Sequence, residues 1–187
     1  TDRFADYAHI VSERLDDRIS RWMTINETVV FTLLGHAVGE LAPGKTLGFG
    51  ALEVAWNQML AHGKAVQAMR SNGITNIGIA NNHAPIWPMG GRQEDTDAAE
   101  LFDVIYNKVF LDPILLGTWP LAGLFDIESA QDGDLELMSQ PIDFLGINHY
   151  NPQGVSAAPE GAELPFDLVD VPAERHNDFG WPIVPEG

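Results

Sequence analysis

One pattern occurs three times in this chain: an apolar, strand-like run that ends directly in a group of polar residues. The runs cover residues 19–25, 74–80 and 142–147, and the polar groups after them are Asn26-Glu27, Asn81-Asn82-His83 and Asn148-His149-Tyr150. Helical patterns separate the runs, and strands that alternate with helices form a parallel sheet. Because the carboxyl ends of parallel strands meet at one edge of a sheet, the sequence predicts an α/β protein with its polar side chains gathered there.

The segments between the runs have the spacing of amphipathic helices. A helix is predicted at the start of the chain from apolar residues on one face: Phe4, Tyr7, Ala8, Val11 and Leu15. A second helix is predicted over 50–71, and a third over 96–110 with Asp95 or Thr96 as its cap. The proline, glycine and acidic residues of 151–187 predict a long loop with little regular structure.

Two α/β architectures place ligands at the carboxyl ends of their strands: the (β/α)8 or TIM barrel, and the doubly wound open sheet. A nucleotide-binding open sheet has a G-x-G-x-x-G loop after a strand, and no such spacing occurs here. The TIM barrel is therefore favoured. Because three strands cannot close a barrel of eight, we expect residues 1–187 to form the central portion of a single TIM-barrel domain.

The charge balance excludes several classes of partner. With 10 Lys and Arg against 27 Asp and Glu, the net charge is −17 and no basic cluster offsets it, so nucleic acid is not expected as a partner. The most apolar stretch, 29–34, is far shorter than the roughly 20 residues that cross a bilayer, so no membrane association is expected. The sequence has no cysteine and no recognisable signal peptide, and a cytoplasmic protein is the default expectation.

Glu27 is the main candidate for chemistry. A carboxyl group at the end of a buried strand, with the Asn26 amide beside it, suits a general acid. From spacing alone, Glu27 could instead be an ordinary strand-end residue that caps the next helix. Two other groupings, His36 with Glu40 and Asp132-Gly133-Asp134, have too few ligands for a metal site. No metal or other cofactor is predicted.

The segment around Glu27 resembles a signature of the family 1 glycoside hydrolases, the β-glucosidase and β-galactosidase group. In that family Thr-x-Asn-Glu-Pro at the fourth barrel strand carries the acid/base carboxylate. Thr24-Ile25-Asn26-Glu27 matches this motif, with Thr28 in place of the proline. Further stretches are similar to family motifs in the same order, at 36–44, 109–120, 143–150 and 180–187. The resemblance covers the whole chain and implies barrel strands four to six, with their helices and long loops.

The resemblance also implies roles for five residues. Glu27 is expected to protonate the glycosidic oxygen and later to deprotonate water, while Asn26 hydrogen-bonds the sugar 2-hydroxyl. Asn148 and Tyr150 match residues near the nucleophile, and Asn81 matches a residue near the leaving-group side of the sugar.

A retaining glycosidase needs a second carboxylate, the nucleophile, about 5–5.5 Å from the first. In the family this is the Glu of a Thr-Glu-Asn-Gly motif at the seventh strand, and the motif does not occur in this sequence. We therefore expect a β-glucosidase-type enzyme acting on β-glycosides, inactive alone, whose partners are complementary chains with the remaining strands. A catalytically inactive sugar-binding or interaction module is the alternative, and an unrelated TIM-barrel enzyme using Glu27 with residues 81–83 is a third reading.

Overall fold

The computed structural model describes all 187 residues of the chain. The helices are α1 (Asp2–Leu15), α2 (Thr28–Thr32), α3 (Leu52–Ser71), α4 (Gln93–Asp103), α5 (Val109–Leu115) and α6 (Asp134–Met138). The strands are β1 (Trp22–Asn26), β2 (Ile77–Asn82), β3 (Ile86–Pro88), β4 (Phe144–Asn148), β5 (Gln153–Ala157) and β6 (Phe166–Val169). A 3-10 turn, Gly48–Ala51, precedes α3, and π-helical turns, Leu33–Ala37 and Val104–Lys108, follow α2 and α4.

The chain forms two compact units, each made of two separate stretches of sequence. The first consists of Thr1–Asn82 and Val109–Asn148, and the second of His83–Lys108 and His149–Gly187. The expected single domain over 1–187 stays a prediction.

The first unit is built on the three predicted strands, which form a parallel sheet in the order β1-β2-β4. Trp22 of β1 pairs with Ile77 of β2, and Gly78 of β2 pairs with Phe144 of β4. β2 and β4 begin later than predicted and end one or two residues later, at Asn82 and Asn148. The polar groups at the carboxyl edge are therefore partly strand residues.

The core of the first unit lies between this sheet and the helices α1 and α3. The apolar face of α1 packs on a buried cluster that contains residues from α3, β1 and β2. The members of this cluster are Ala8, Trp22, Ala65, Val66, Met69, Ile74 and Ile77. Since Trp22 and Ile77 are buried in it, one face of the sheet is covered by helices. We call the opposite face of this sheet its inner face.

The second unit contains a three-stranded sheet where the sequence predicted a long loop over 151–187. β3 pairs with β5 in parallel, and β5 pairs with β6 antiparallel, with Val155 opposite Leu168. Phe166 packs edge-on against Phe102 of α4, with ring centroids 5.1 Å apart. The prediction missed these two strands because β5 and β6 are short and lie between segments rich in proline and glycine, and the rest of 151–187 has no helix or further named strand. They become strands because β5 pairs with β3 and β6, and not because of their local sequence pattern.

The third predicted helix begins earlier than expected, because Asp95 lies inside its first turn. α4 starts at Gln93, after Arg92 as the N-cap residue. The buried Asp95 carboxylate accepts hydrogen bonds from the Arg92 guanidinium (2.7 and 3.0 Å) and from the Arg92 backbone N–H (3.2 Å). It also accepts from the backbone N–H of Ala157 (3.1 Å) in β5, so that one side chain joins α4 to the sheet.

We predict that Asp95→Asn lowers the melting temperature of the chain by several degrees at neutral pH, because the charge-assisted hydrogen bonds weaken. The Arg92 side chain and the Ala157 amide hold the pKa of Asp95 below its usual value of 3.8. The stabilisation is therefore present above pH 3.8 and is lost as the pH falls through the lower pKa of the folded state. Thermal melts from pH 7 to pH 2 should show the difference in melting temperature between wild type and variant narrowing below pH 3.8. Glu100→Gln, an exposed change on the same helix, should have no such effect.

Candidate active site

A β-bulge in β1 sets the direction of the residues that follow it. Met23 pairs with Gly78 and Asn26 with Ala80, so three steps along β1 match two steps along β2. In a regular strand, residues three apart face opposite sides. Gly78 and Ala80 are two apart and share a face, so their partners Met23 and Asn26 share it too. The extra residue therefore turns Asn26 towards the inner face of the sheet.

The end of β4 presents a second amide on the same face. Ala80 pairs with Gly146 and Asn82 with Asn148, which places Gly146 and Asn148 on the inner face. The Asn148 Nδ2 atom lies 3.1 Å from the Asn26 Oδ1 atom, across β2. The row of residues beside Asn26 is made of Ala80 and Gly146, two of the smallest residues. At this level β2 and β4 therefore place no large side chain on the inner face.

Glu27 is held directly beyond the end of β1 by its backbone and by its side chain. Its backbone N–H donates to the Ala80 carbonyl (2.8 Å), and its Oε1 accepts from the Asn148 Nδ2 (2.8 Å). Its backbone lies in the left-handed region, with φ 56° and ψ 57°, immediately before α2. A residue other than glycine pays about 1 kcal/mol or more for this conformation. Such strain occurs preferentially at functional sites.

The hydrogen bonds fix the orientation of both amides. Asn148 directs its NH2 group towards Glu27, whose Oε1 atom accepts the hydrogen bond. The two hydrogens of this group go to Glu27 and to Asn26 Oδ1. The NH2 group of Asn26, an exposed residue, remains as the end that can donate to a ligand. The Glu27 carboxyl group and the Asn26 amide donor therefore lie side by side, next to the small residues Ala80 and Gly146.

Asn81 lies in the same unit but behind the sheet edge. Its side chain is fully buried, and both ends of its amide are bonded inside the protein. The Thr28 hydroxyl donates to Asn81 Oδ1 (2.7 Å), and Asn81 Nδ2 donates to the Phe110 carbonyl (3.3 Å). In addition, Gln58 Nε2 donates to the Thr28 carbonyl (3.3 Å). Asn81 therefore supports the segment that follows Glu27 from behind, while its neighbour Asn82 takes the inner-face position.

Tyr150 belongs to the second unit and is half exposed. Its ring packs edge-on against Trp181, with centroids 5.3 Å apart, and Trp181 in turn stacks on Phe179. Three of the five residues singled out in the sequence, Asn26, Glu27 and Asn148, are joined by hydrogen bonds in the first unit.

Sequence reasoning missed His62, which supports β1 from α3. Its Nδ1 atom lies 2.6 Å from the Thr24 hydroxyl, and the residue is fully buried. Burial lowers the pKa of His62 from 6.5 to about 4, so the ring is neutral at physiological pH. A signal was present in the sequence, because His62 follows Met59 by three residues and precedes Val66 by four on the apolar face of the helix.

Comparison with known proteins decides the family. The family model for glycosyl hydrolase family 1 matches residues 1–187. The chain belongs to this family. It is 37% identical to β-glucosidase A of Acetivibrio thermocellus over 197 aligned positions, which cover 100% of this chain and 44% of that protein. It is 34% identical to a bifunctional β-D-glucosidase/β-D-fucosidase of Bifidobacterium breve, covering 98% of this chain and 43% of the relative.

Solved structures of family 1 enzymes superpose on the chain. The psychrophilic β-glucosidase BglU of Micrococcus antarcticus matches with a TM-score of 0.88 and 36% identity, over 98% of this chain and 45% of its own. The family 1 β-glucosidase of Thermotoga maritima matches with a TM-score of 0.87 and 31% identity, over 100% and 43%. The chain thus spans less than half the length of these family 1 relatives. The predictions of the family and of a partial TIM barrel are confirmed.

No helix of this family 1 chain combines the length and hydropathy needed to cross a bilayer. Nor do three or more His, Asp or Glu side chains come together as a metal site would require.

We predict that Thr28→Val destabilises the chain by about 1–3 kcal/mol, because the buried Asn81 oxygen loses its donor. The change keeps the shape of the side chain and removes only the hydroxyl. Denaturant titration followed by circular dichroism measures the free energy of unfolding. Thr46→Val, at an exposed position, is the matched control and should change it by less than about 0.5 kcal/mol. An equal loss at both positions would contradict the assigned hydrogen bond.

A second prediction concerns acid stability. His62 binds a proton less readily in the folded chain than in the unfolded chain, so its contribution to stability is complete above pH 6.5 and is lost as the pH falls towards 4. Between pH 7 and pH 5 this group alone should remove about 2 kcal/mol from the free energy of unfolding. Denaturant titrations at the two pH values should show that loss in the wild type and a smaller one in His62→Gln. His9→Gln, at an exposed site on α1, should leave the pH dependence unchanged.

Proposed function

We propose that this chain supplies the acid/base half of a retaining β-glycosidase site, with Glu27 as the acid/base residue. The observation that carries the proposal is the contact of Glu27 and Asn26 with the one amide group of Asn148. This contact lies at the carboxyl edge of a parallel sheet, where TIM-barrel enzymes have their active sites. Membership of glycosyl hydrolase family 1 supports the same reaction.

The proposed chemistry needs two proton transfers at Glu27. In the first step the carboxyl group protonates the glycosidic oxygen as the bond to the sugar C1 breaks and a nucleophilic carboxylate attacks C1. In the second step Glu27 takes a proton from a water molecule as the water oxygen attacks C1, and the bond between C1 and the nucleophilic carboxylate breaks. Asn26 donates its free NH2 to the sugar 2-hydroxyl, a contact that strengthens in the oxocarbenium-like transition state. The sequence of steps requires no cofactor.

We propose that the nucleophile and the remaining barrel strands come from polypeptide outside these 187 residues. The two outer strands of the sheet, β1 and β4, each have one neighbour in the chain. Met23 on the inner face and Ile147 on the other face are 55% and 61% exposed. Parallel sheets normally have both faces covered, so these residues mark surfaces that a complete barrel would bury. The relatives, of which this chain matches about 44%, have the length to supply the cover.

The substrate class in this proposal is a β-glycoside, with a terminal β-D-glucoside as the first choice. The relatives with the printed names β-glucosidase A and β-D-glucosidase/β-D-fucosidase support it.

The direct test is a chimera in which this chain replaces the matching segment of Acetivibrio thermocellus β-glucosidase A. We predict that the chimera hydrolyses an aryl β-glucoside and that Glu27→Gln lowers kcat for a poor leaving group at least about 100-fold. With an activated aryl glucoside, whose leaving group needs little protonation, Glu27→Gln should lower the rate of the first step far less. Added azide should restore turnover of the activated substrate, because an anionic nucleophile replaces water without needing a base.

Glu13→Gln, an exposed change on α1, is the matched control and should keep full activity. Hydrolysis that survives Glu27→Gln with a poor leaving group would exclude the acid/base assignment. A folded chimera that binds glucoside in calorimetry but turns over neither substrate would favour the inactive sugar-binding module instead.

A further inference from the structure

We propose that His62 is a positioning residue for the site: through Thr24, it holds the bulge that turns Asn26 and Glu27 onto the inner face of the sheet. The effect of this role on catalysis rests on the proposed glycosidase function. The positioning of Asn26 and Glu27 rests only on the geometry of the chain.

The hydrogen bond between Thr24 and His62 lies at the bulge. The extra residue of β1 lies between Met23 and Asn26, and Thr24 is one of the two residues in that interval. The Thr24 hydroxyl is 2.6 Å from His62 Nδ1 on α3 and 3.4 Å from the Gly78 carbonyl on β2. One side chain at the bulge thus contacts both the helix behind the sheet and the neighbouring strand.

The shorter of the two contacts joins Thr24 to the helix. A neutral imidazole has one donor and one acceptor nitrogen, so the Thr24 hydroxyl can pair with His62 Nδ1 in either tautomer. The 2.6 Å hydrogen bond fixes the rotation of the Thr24 side chain and, with it, the path of the strand through the bulge.

Burying His62 carries an energetic cost that packing alone does not explain. The ring is fully buried, and its Nε2 atom has no hydrogen-bond partner within the chain. A buried polar atom without a partner is unfavourable, whereas an apolar side chain of similar shape would pack without that cost. The bond to Thr24 is therefore the polar contact that distinguishes His62 from a leucine or phenylalanine at this position.

The bulge is followed at once by the residues that depend on it. Asn26 reaches Asn148 across β2, and the Glu27 N–H is tied to the Ala80 carbonyl (2.8 Å). A strand that lost the bulge by a slip of one residue would send Asn26 to the helix-covered face. The Asn148 amide would then lose its acceptor on β1, so its state reports whether the bulge is in place.

The test uses NMR spectroscopy of the 187-residue chain, with the side-chain NH2 signals of Asn148 as the readout. His62→Asn can place an amide N–H where Nδ1 lies, whereas His62→Gln places its amide near Nε2. We expect His62→Asn and Thr24→Ser to keep the wild-type Asn148 signals and their protection from hydrogen exchange. His62→Gln, His62→Leu and Thr24→Val should shift these signals and lower their protection at least about tenfold. His9→Leu, at an exposed position, is the control.

A purely structural role for His62 predicts a different order. Glutamine is closer to histidine in volume than asparagine is, so packing alone would favour His62→Gln over His62→Asn. If both variants shift the Asn148 signals equally, or if Thr24→Val leaves them at the wild-type positions, the positioning role is overturned. Thr24→Ser and His62→Asn retain the hydrogen bond and decide the question even if Thr24→Val does not fold.

The same variants in the chimera with Acetivibrio thermocellus β-glucosidase A test the catalytic consequence. We expect His62→Leu to lower kcat about tenfold or more with KM changed less than twofold, since misorientation of the acid/base group acts on the transition state. The double variant with Thr24→Val should lose no more than the larger single loss. An inactive wild-type chimera with a normal NMR response would refute the glycosidase proposal and leave the positioning role standing. Active variants with disturbed Asn148 signals would refute its catalytic importance.

Discussion

One extra residue in β1 is the constraint on which the site depends. Because side chains alternate along a strand, a displacement of one residue exchanges its two faces. The register between β1 and β2 changes after Met23, and from there Asn26 shares the inner face with Asn148. On the other face, Trp22, which precedes the bulge, is buried in the hydrophobic core. The bulge thus lets one short strand bury an aromatic side chain against helices and present an amide to a ligand.

Glu27 adopts a costly backbone conformation, and the polar groups behind it explain how the conformation persists. Its φ of 56° falls where side chains other than glycine are disfavoured. Thr28, which stands where the family motif has proline, is fully buried and bonded to Asn81 and, through its carbonyl, to Gln58. A proline would stiffen this position by its ring. Here hydrogen bonds to β2 and α3 restrain the same residue, so a buried polar network replaces a covalent constraint.

The sheet and the proximity of three polar residues could be predicted from the sequence because both depend on local pattern. Apolar runs ending in polar groups locate Asn26, Glu27 and Asn148, and parallel pairing makes their proximity predictable. Which of Asn81 and Asn82 shares the inner face with Asn26 depends on the pairing register, which places Asn82 there and Asn81 towards the helices. The bulge also could not be predicted, because in a strand of five residues the alternation of side chains is too short to reveal one extra residue. β5 and β6 were missed because pairing between distant segments, not propensity, makes them strands.

The bulge also bears on how the two halves of the proposed glycosidase would fit together. The elements that hold Glu27, namely β1, β2, β4 and α3, all belong to one unit, so its position is set before any nucleophile is supplied. A slip of one residue moves a strand by about 3.3 Å. Retaining glycosidases hold their two carboxyl groups about 5–5.5 Å apart, and inverting ones about 6.5–9.5 Å apart. A slip of one residue displaces the strand by about 3.3 Å and also turns its side chains to the other face, so the register of β1 would determine whether Glu27 and a carboxylate from the rest of the barrel can lie at the retaining distance.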